Sequence, residues 1–227
     1  MTDTAEPTTR DVDKVVIRFA GDSGDGMQLT GDRFTSASAL FGNDLATLPE
    51  FPAEIRAPQG TLAGVSAFQV QISSTEISTP GDEPTVLVAM NPAALKSDLG
   101  RLAQGGTIIA NEDAFEDRNL AKAGYSDNPL EDGSLDGYTL IKVQMSKITR
   151  KVCEPLGVKA RDAERSKNFF ALGLVSWMYT RPTEPTLDWI GTKFAGRDQV
   201  IAANTACLLY TSPSPRDQRG SRMPSSA

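Results

Sequence analysis

The stretch GDSGDGMQLTGDRF, Gly21 to Phe34, concentrates residues that could do chemistry. Gly21, Gly24 and Gly26 alternate with Asp22 and Asp25, after an apolar run and before a helical pattern. A glycine turn in that place lets phosphates approach the backbone, and a helix N-terminus offers unpaired N–H groups and partial positive charge. The spacing is G-x-x-G-x-G, not the G-x-G-x-x-G of dinucleotide folds, and no Lys-Ser or Lys-Thr follows as in a P-loop. A tight turn built on positive-φ glycines explains the spacing equally well. Asp22 and Asp25 are candidate metal ligands, although two carboxylates on a turn more often cap or face solvent.

The GDG of residues 24–26 also occurs in thiamine-diphosphate enzymes, where a later asparagine completes the metal site. Here the next asparagine is Asn43, followed by Asp44, so the paired asparagines are missing and the spacing is short. A thiamine site in this chain is excluded on those grounds. Histidine is absent, which removes the Ser-His-Asp triad and most zinc chemistry. Cys153 and Cys207 form no CxxC, so neither a cluster nor a disulfide framework is expected. Cys153 has no evident base and reads as an inert helical residue. Any hard chemistry then belongs to a cofactor or another subunit.

The elements that would position the loop follow a strand–helix alternation. KVVIRFAG (14–21) reads as a buried strand, and MQLTGDRFTSASALFG (27–42) as a helix that Gly31 weakens and Gly42 stops. Strands are expected at 45–51, 65–74, 85–90, 107–112 and 138–145. In 65–74 the alternation shifts phase at Phe68. NPAALKSDLGRLAQGG (91–106) reads as a helix with Asn91 as N-cap, Pro92 in its first turn, and Gly105 and Gly106 at its end. From Ser146 four helical patterns follow, in 146–157, 162–179, 186–196 and 197–206. The fold class is therefore α/β: an open, mostly parallel, Rossmann-like sheet with helices on both faces.

The net charge of −6 argues against a general nucleic-acid binder, and no apolar run approaches the roughly 18 residues of a membrane helix. The N-terminus lacks a basic-then-apolar signal, so the expected location is the cytoplasm. Residues 1–13 read as a disordered leader and 14–206 as the folded domain. Residues 207–227 read as a tail of non-native origin, because Ser, Pro and Arg replace the helical pattern abruptly.

Three stretches carry a family resemblance: VVIRFAGDSGDGMQLTGDRF, LPEFPAEIRAPQGTLAGVSAFQVQISS and SKNFFALGLVSWM. Together they resemble the N-terminal (gamma) domain of the alpha subunit of 2-oxoacid:ferredoxin oxidoreductases, most of all the two-subunit 2-oxoglutarate type. The resemblance covers residues 13–206. It implies CoA-dependent oxidative decarboxylation of a 2-oxoacid, with electrons passed to ferredoxin. It places thiamine diphosphate, magnesium and an iron–sulfur cluster on other domains or on a thiamine-binding beta subunit, with no cofactor held firmly by this chain. It implies that this chain alone is inactive, since the alpha subunit continues into a pyrimidine-binding domain that nothing here matches. Gly24, Asp25, Gly26 and Arg56 become candidates for loops that face CoA. The glycine turn keeps its alternative of shaping the sheet edge, and Arg56 that of a salt bridge to Glu54 or Glu50. Asn168 reads as a helix N-terminal residue, and Phe169, Phe170, Leu174, Trp177 and Met178 as core or subunit contact.

Overall fold

The computed structural model describes residues 12–54 and 57–211. Arg56, most of the expected leader and all but the first five residues of the expected tail lie outside the described residues. Six strands form one sheet: β1 (Lys14–Asp22), β2 (Asp44–Glu50), β3 (Val65–Ser73), β4 (Val86–Ala89), β5 (Thr107–Asn111) and β6 (Thr139–Val143). They match the six apolar runs read from the sequence. Their order is β2-β3-β1-β4-β5-β6. β1, β4, β5 and β6 run parallel, and β3 runs antiparallel to both β1 and β2. The β2–β3 connection contains only a 3-10 turn at Leu62–Gly64, and an antiparallel neighbour needs no helical crossover.

Eight α-helices stand among the described residues: α1 (Met27–Ser38), α2 (Pro92–Asp98), α3 (Asp117–Ala123), α4 (Met145–Cys153), α5 (Ala160–Ala163), α6 (Lys167–Met178), α7 (Glu184–Lys193) and α8 (Asp198–Leu209). Strand residues alternate between two cores. Ile17, Phe19, Val88 and Ile109 face the core shared with α1, α4, α6 and α8. Ala20, Leu87, Ile108 and Ala110 face the core shared with α2 and α3. β3 shows why its alternation seemed to shift. Val65 and Ala67 face the second core while Phe68, Val70 and Ile72 face the first, with continuous pairing along the strand. Both faces are covered, so apolar residues at odd and even positions are satisfied together.

Gly31 in α1 is set by packing: a Cβ there would lie 2.1 Å from the Phe68 ring. The residue that weakens the helix intrinsically lets it sit directly on β3. Asn91 caps α2 as expected, its Oδ1 accepting from Ala94 N at 2.8 Å. The α2 helix ends earlier than the sequence suggests, at Asp98, followed by a 3-10 turn to Arg101. Helix α3 was not anticipated, because only Leu120 and Ala123 of it are buried. Helix α8 continues three residues past Ala206 and buries Cys207 and Leu208. Cys153 and Cys207, remote in sequence, bring their free thiols to 3.7 Å in the first core. Burial pushes both thiols up.

One charged network lies beneath α2. The Arg18 guanidinium is 1% exposed; its Nε donates to Asp98 Oδ1 at 2.5 Å and its Nη2 to Glu50. Arg101 donates to both Glu50 oxygens at 2.9 and 3.1 Å. Burial pushes Glu50 up, but Arg18 first and then Arg101 outweigh it and hold the carboxyl below its ordinary range. Glu50 is thus engaged by Arg18 and Arg101.

Candidate functional site

The chain leaves adjacent parallel strands β1 and β4 toward opposite faces: α1 packs in the first core and α2 in the second. Such a reversal opens a crevice outside the carboxyl ends of the strands, the usual ligand position in open α/β sheets. A cleft of about 310 Å³ lies there, lined by residues following β1, β4, β5 and β6. Its composition is polar, with Asp22, Asp25, Asp113, Glu116 and Glu164 against Lys122, Arg150 and Lys167.

The glycine turn forms one wall. Gly26 caps α1 in the left-handed region at φ 75°, and a Cβ there would lie 2.6 Å from Asn168 Nδ2. Only glycine combines that backbone with that approach. Gly24 is exposed and has nothing within 4 Å of a Cβ position. Asp25 turns inward: its Oδ2 accepts from Asp22 N at 3.0 Å and its N donates to Asp22 O at 2.8 Å. Its Oδ1 pairs with Lys167 Nζ at 3.0 Å. Lys167 also meets Glu164 Oε1 at 3.3 Å, and that same oxygen accepts from Ser146 Oγ at 2.8 Å. Burial pushes the Lys167 pKa down, but Asp25 and then Glu164 more than offset this and raise it.

Asp22 holds a second position on the wall. Both its oxygens accept from Gly60 N at 3.1 Å, which ties the turn to the β2–β3 connection. Burial, reinforced by the Asp25 charge, raises its pKa in spite of the Gly60 N–H, Lys167 and Asn91. Asn91, 8% exposed, lies beside Asp22, and its Nδ2 makes no hydrogen bond of ordinary geometry. Asn111 Nδ2 donates to Met90 O at 3.2 Å and to Ser146 Oγ at 3.3 Å, fixing the β4–β5 side. Lys122 and Arg150 are exposed and have no acidic partner among the described residues.

The structure therefore places Asp25 in the cleft wall, with Gly24 and Gly26 on the same turn. Arg56 lies outside the described residues. Asn168 takes the helix N-terminal place read for it, its Oδ1 accepting from Phe169 N at 2.9 Å. Phe169 and Phe170 are core; Leu174 and Met178 pack partly buried against it, while Trp177 is 46% exposed. Sequence reading missed Asn91 as a cleft donor, and also Asn111, Ser146, Lys122, Arg150, Glu164 and Lys167. The position of Asn91 and Asn111 at strand carboxyl ends was the available signal. The lysines and Arg150 carried none.

Residues 16–211 match the pyruvate ferredoxin/flavodoxin oxidoreductase family. The chain belongs to this family. It is 56% identical over 204 residues to the 2-oxoglutarate oxidoreductase subunit KorA of Mycobacterium tuberculosis, covering 90% of this chain and 31% of that protein. The chain thus spans about a third of the length of that relative. Its fold is similar to that of a 2-oxoglutarate:ferredoxin oxidoreductase from Magnetococcus marinus, solved with 2-oxoglutarate, coenzyme A and succinyl-CoA bound. The TM-score is 0.66 at 24% identity, over 88% of this chain and 31% of that one. It is also similar to the gamma subunit of a keto/oxoacid ferredoxin oxidoreductase from Geobacter sulfurreducens, with TM-score 0.56 at 16% identity. That match covers 87% of this chain and 98% of the gamma subunit. The same fold thus makes up about a third of one long chain and nearly the whole of a shorter one. No helix among the described residues is long and apolar enough to cross a membrane.

Proposed function

We propose that the chain is the gamma-type part of the alpha subunit of a cytoplasmic 2-oxoglutarate:ferredoxin oxidoreductase. The observation that carries this is the 56% identity to KorA over 204 residues, which takes in nearly the whole folded unit. In this reading a thiamine-binding beta subunit and the other domains hold thiamine diphosphate, magnesium and the iron–sulfur cluster. Coenzyme A takes up the acyl group and ferredoxin the electrons.

The role of this unit is to hold coenzyme A at the crevice. Lys122 and Arg150 suit its phosphates as unpaired cations at the cleft, with the guanidinium able to bind two oxygens at once. Asn91 Nδ2, a buried donor beside Asp22 that makes no hydrogen bond of ordinary geometry, suits an amide carbonyl of the pantetheine arm. The Gly24–Gly26 turn would face the ligand as a fixed wall, and the Arg56 guanidinium is assigned to the same anion from its chemistry alone. A second reading has one observation in its favour: carboxylates outnumber cations in the cleft, which suits a unit that assembles the enzyme without touching a polyanion.

The test is a chimera in which residues 14–206 replace the matching segment of M. tuberculosis KorA, assembled with its partner subunit. Expected is 2-oxoglutarate- and CoA-dependent reduction of a low-potential dye. A chimera that assembles but does not turn over overturns the proposal. Lys122→Ala with Arg150→Ala should raise the KM for coenzyme A roughly tenfold, about 1.4 kcal/mol. An unchanged KM selects the assembly reading.

A further inference from the structure

Ser146 and Lys167 aim two donors at one point of the crevice wall, and the protein fills that point itself. Ser146 lies in the first turn of α4 and is 7% exposed. Its Oγ accepts from Asn111 Nδ2 at 3.3 Å, so its single proton points the other way, where Glu164 Oε1 takes it at 2.8 Å. The Lys167 ammonium lies 3.3 Å from the same oxygen. A hydroxyl and an ammonium converging on one oxygen suit a phosphate oxygen as well as a carboxylate.

The fold has little need of the Glu164 charge there. Lys167 already meets Asp25 Oδ1 at 3.0 Å. The start of α4 is already capped, Asp113 Oδ2 accepting from Lys147 N at 2.8 Å and Asn111 Oδ1 from Ser146 N at 3.4 Å. Glu164 begins a one-turn 3-10 segment, Glu164–Ser166, and its side chain is 36% exposed. Its tie to Lys167 is an i,i+3 ion pair, a weak and solvent-screened kind. One helical turn along α4 from Ser146, Arg150 lines the same cleft with no carboxylate partner among the described residues.

We propose that Glu164 is an internal competitor for a phosphate of the ligand. Its carboxylate holds the Ser146 and Lys167 donors in the free protein, and it swings out when a phosphate takes its place. Affinity is thereby kept below what the donors alone would give, and the carboxylate recovers them as the ligand leaves. The proposal rests on the coenzyme A reading of the crevice and adds a regulation to it.

Titration calorimetry of the 227-residue chain with inorganic pyrophosphate tests it. Glu164→Gln keeps an oxygen for Ser146 and Lys167 but removes the charge, and should lower the Kd for pyrophosphate about tenfold. Glu116→Gln removes the same charge from the same cleft, at a residue whose side chain caps no helix, and should change the Kd less than about twofold. A Glu164→Gln Kd at or above the wild-type value overturns the proposal, and so does equal tightening by the two variants, which would be a general effect of charge. Ser146→Ala gives a second reading: almost no effect in the wild type, where the hydroxyl is taken, and about fivefold weaker binding in the Glu164→Gln background. The same effect in both backgrounds also overturns it. The coenzyme A reading is read apart, from the KM of the chimera with Lys122→Ala and Arg150→Ala. A raised KM there beside an unmoved Glu164→Gln titration keeps the ligand and rejects the competitor. An unchanged KM beside a tightened titration keeps the competitor, for a phosphate-bearing ligand other than coenzyme A.

Discussion

Gly24 and Gly26 lie two residues apart in one turn, and alanine should affect them oppositely. At Gly26 the backbone is left-handed at φ 75°, and a side chain there costs about 1–2 kcal/mol. The new Cβ would also stand 2.6 Å from Asn168 Nδ2. Asn168 is buried, and moving it strains the bond its Oδ1 accepts from Phe169 N, worth about 1 kcal/mol. Gly26→Ala should therefore cost about 2–3 kcal/mol. For a chain of this size that is a fall in Tm of roughly 5–10 °C. Gly24 has no positive φ and nothing near its Cβ position. Gly24→Ala restricts mainly the unfolded chain and should be neutral or stabilise by up to about 1 kcal/mol. The assay is thermal unfolding of the 227-residue chain followed by circular dichroism. The clash is isolated by adding Asn168→Ala, which should make Gly26→Ala about 1 kcal/mol less costly than in the wild-type background. Equal effects at the two glycines, or no coupling between Gly26 and Asn168, would refute the packing argument.

Asp98→Asn removes a charge that is 1% exposed and paired with the equally buried Arg18; it should cost about 3 kcal/mol in thermal unfolding, whereas Arg18→Met with Asp98→Leu should stay within about 1 kcal/mol of wild type. Asp22 has a folded pKa above its ordinary 3.8, so the native state holds its proton more tightly and stability falls as pH rises from 3.8 through the folded value. Asp22→Asn cannot ionise and should melt above wild type at pH 7, with the gap closing as pH falls toward 3.8; a gap that widens on acidification contradicts the sign.

The strands were legible because each is a run of apolar or β-branched residues bounded by turn signals, and two covered faces make such runs continuous. What stayed hidden has specific causes. The reversal of β3 depends on a 51–64 connection whose composition does not announce its path. Gln69 and Gln71 are buried polar residues in that strand, bonded to Pro80 O and to Asp82, and their partners lie beyond any local pattern. Helix α3 offers two buried side chains, too few to set a period. Arg18 read as an ordinary charge in a strand. Its burial is possible only because Asp98 and Glu50 arrive from other elements.

The glycine turn shows where local reading stops. A phosphate cradle needs a row of free N–H groups. In this turn Asp22 N is given to Asp25 Oδ2, Ser23 N to Gly64 O, and Asp25 N to Asp22 O. Asp25, the carboxylate that most resembles a ligand group, is neutralised by Lys167 from α6. The turn therefore spends most of its polar groups on holding β1, α1 and α6 together. The cations without a carboxylate partner, Lys122, which makes one long bond to Gln59 O at 3.4 Å, and Arg150, come with Asn91 from elements following β4, β5 and β6. An anion entering this crevice would be held by side chains on the far wall, with the glycine turn as the rigid surface facing them. That arrangement separates two tasks that the sequence superimposes. Changes at Gly26 should act through stability, and changes at Lys122 or Arg150 through ligand affinity.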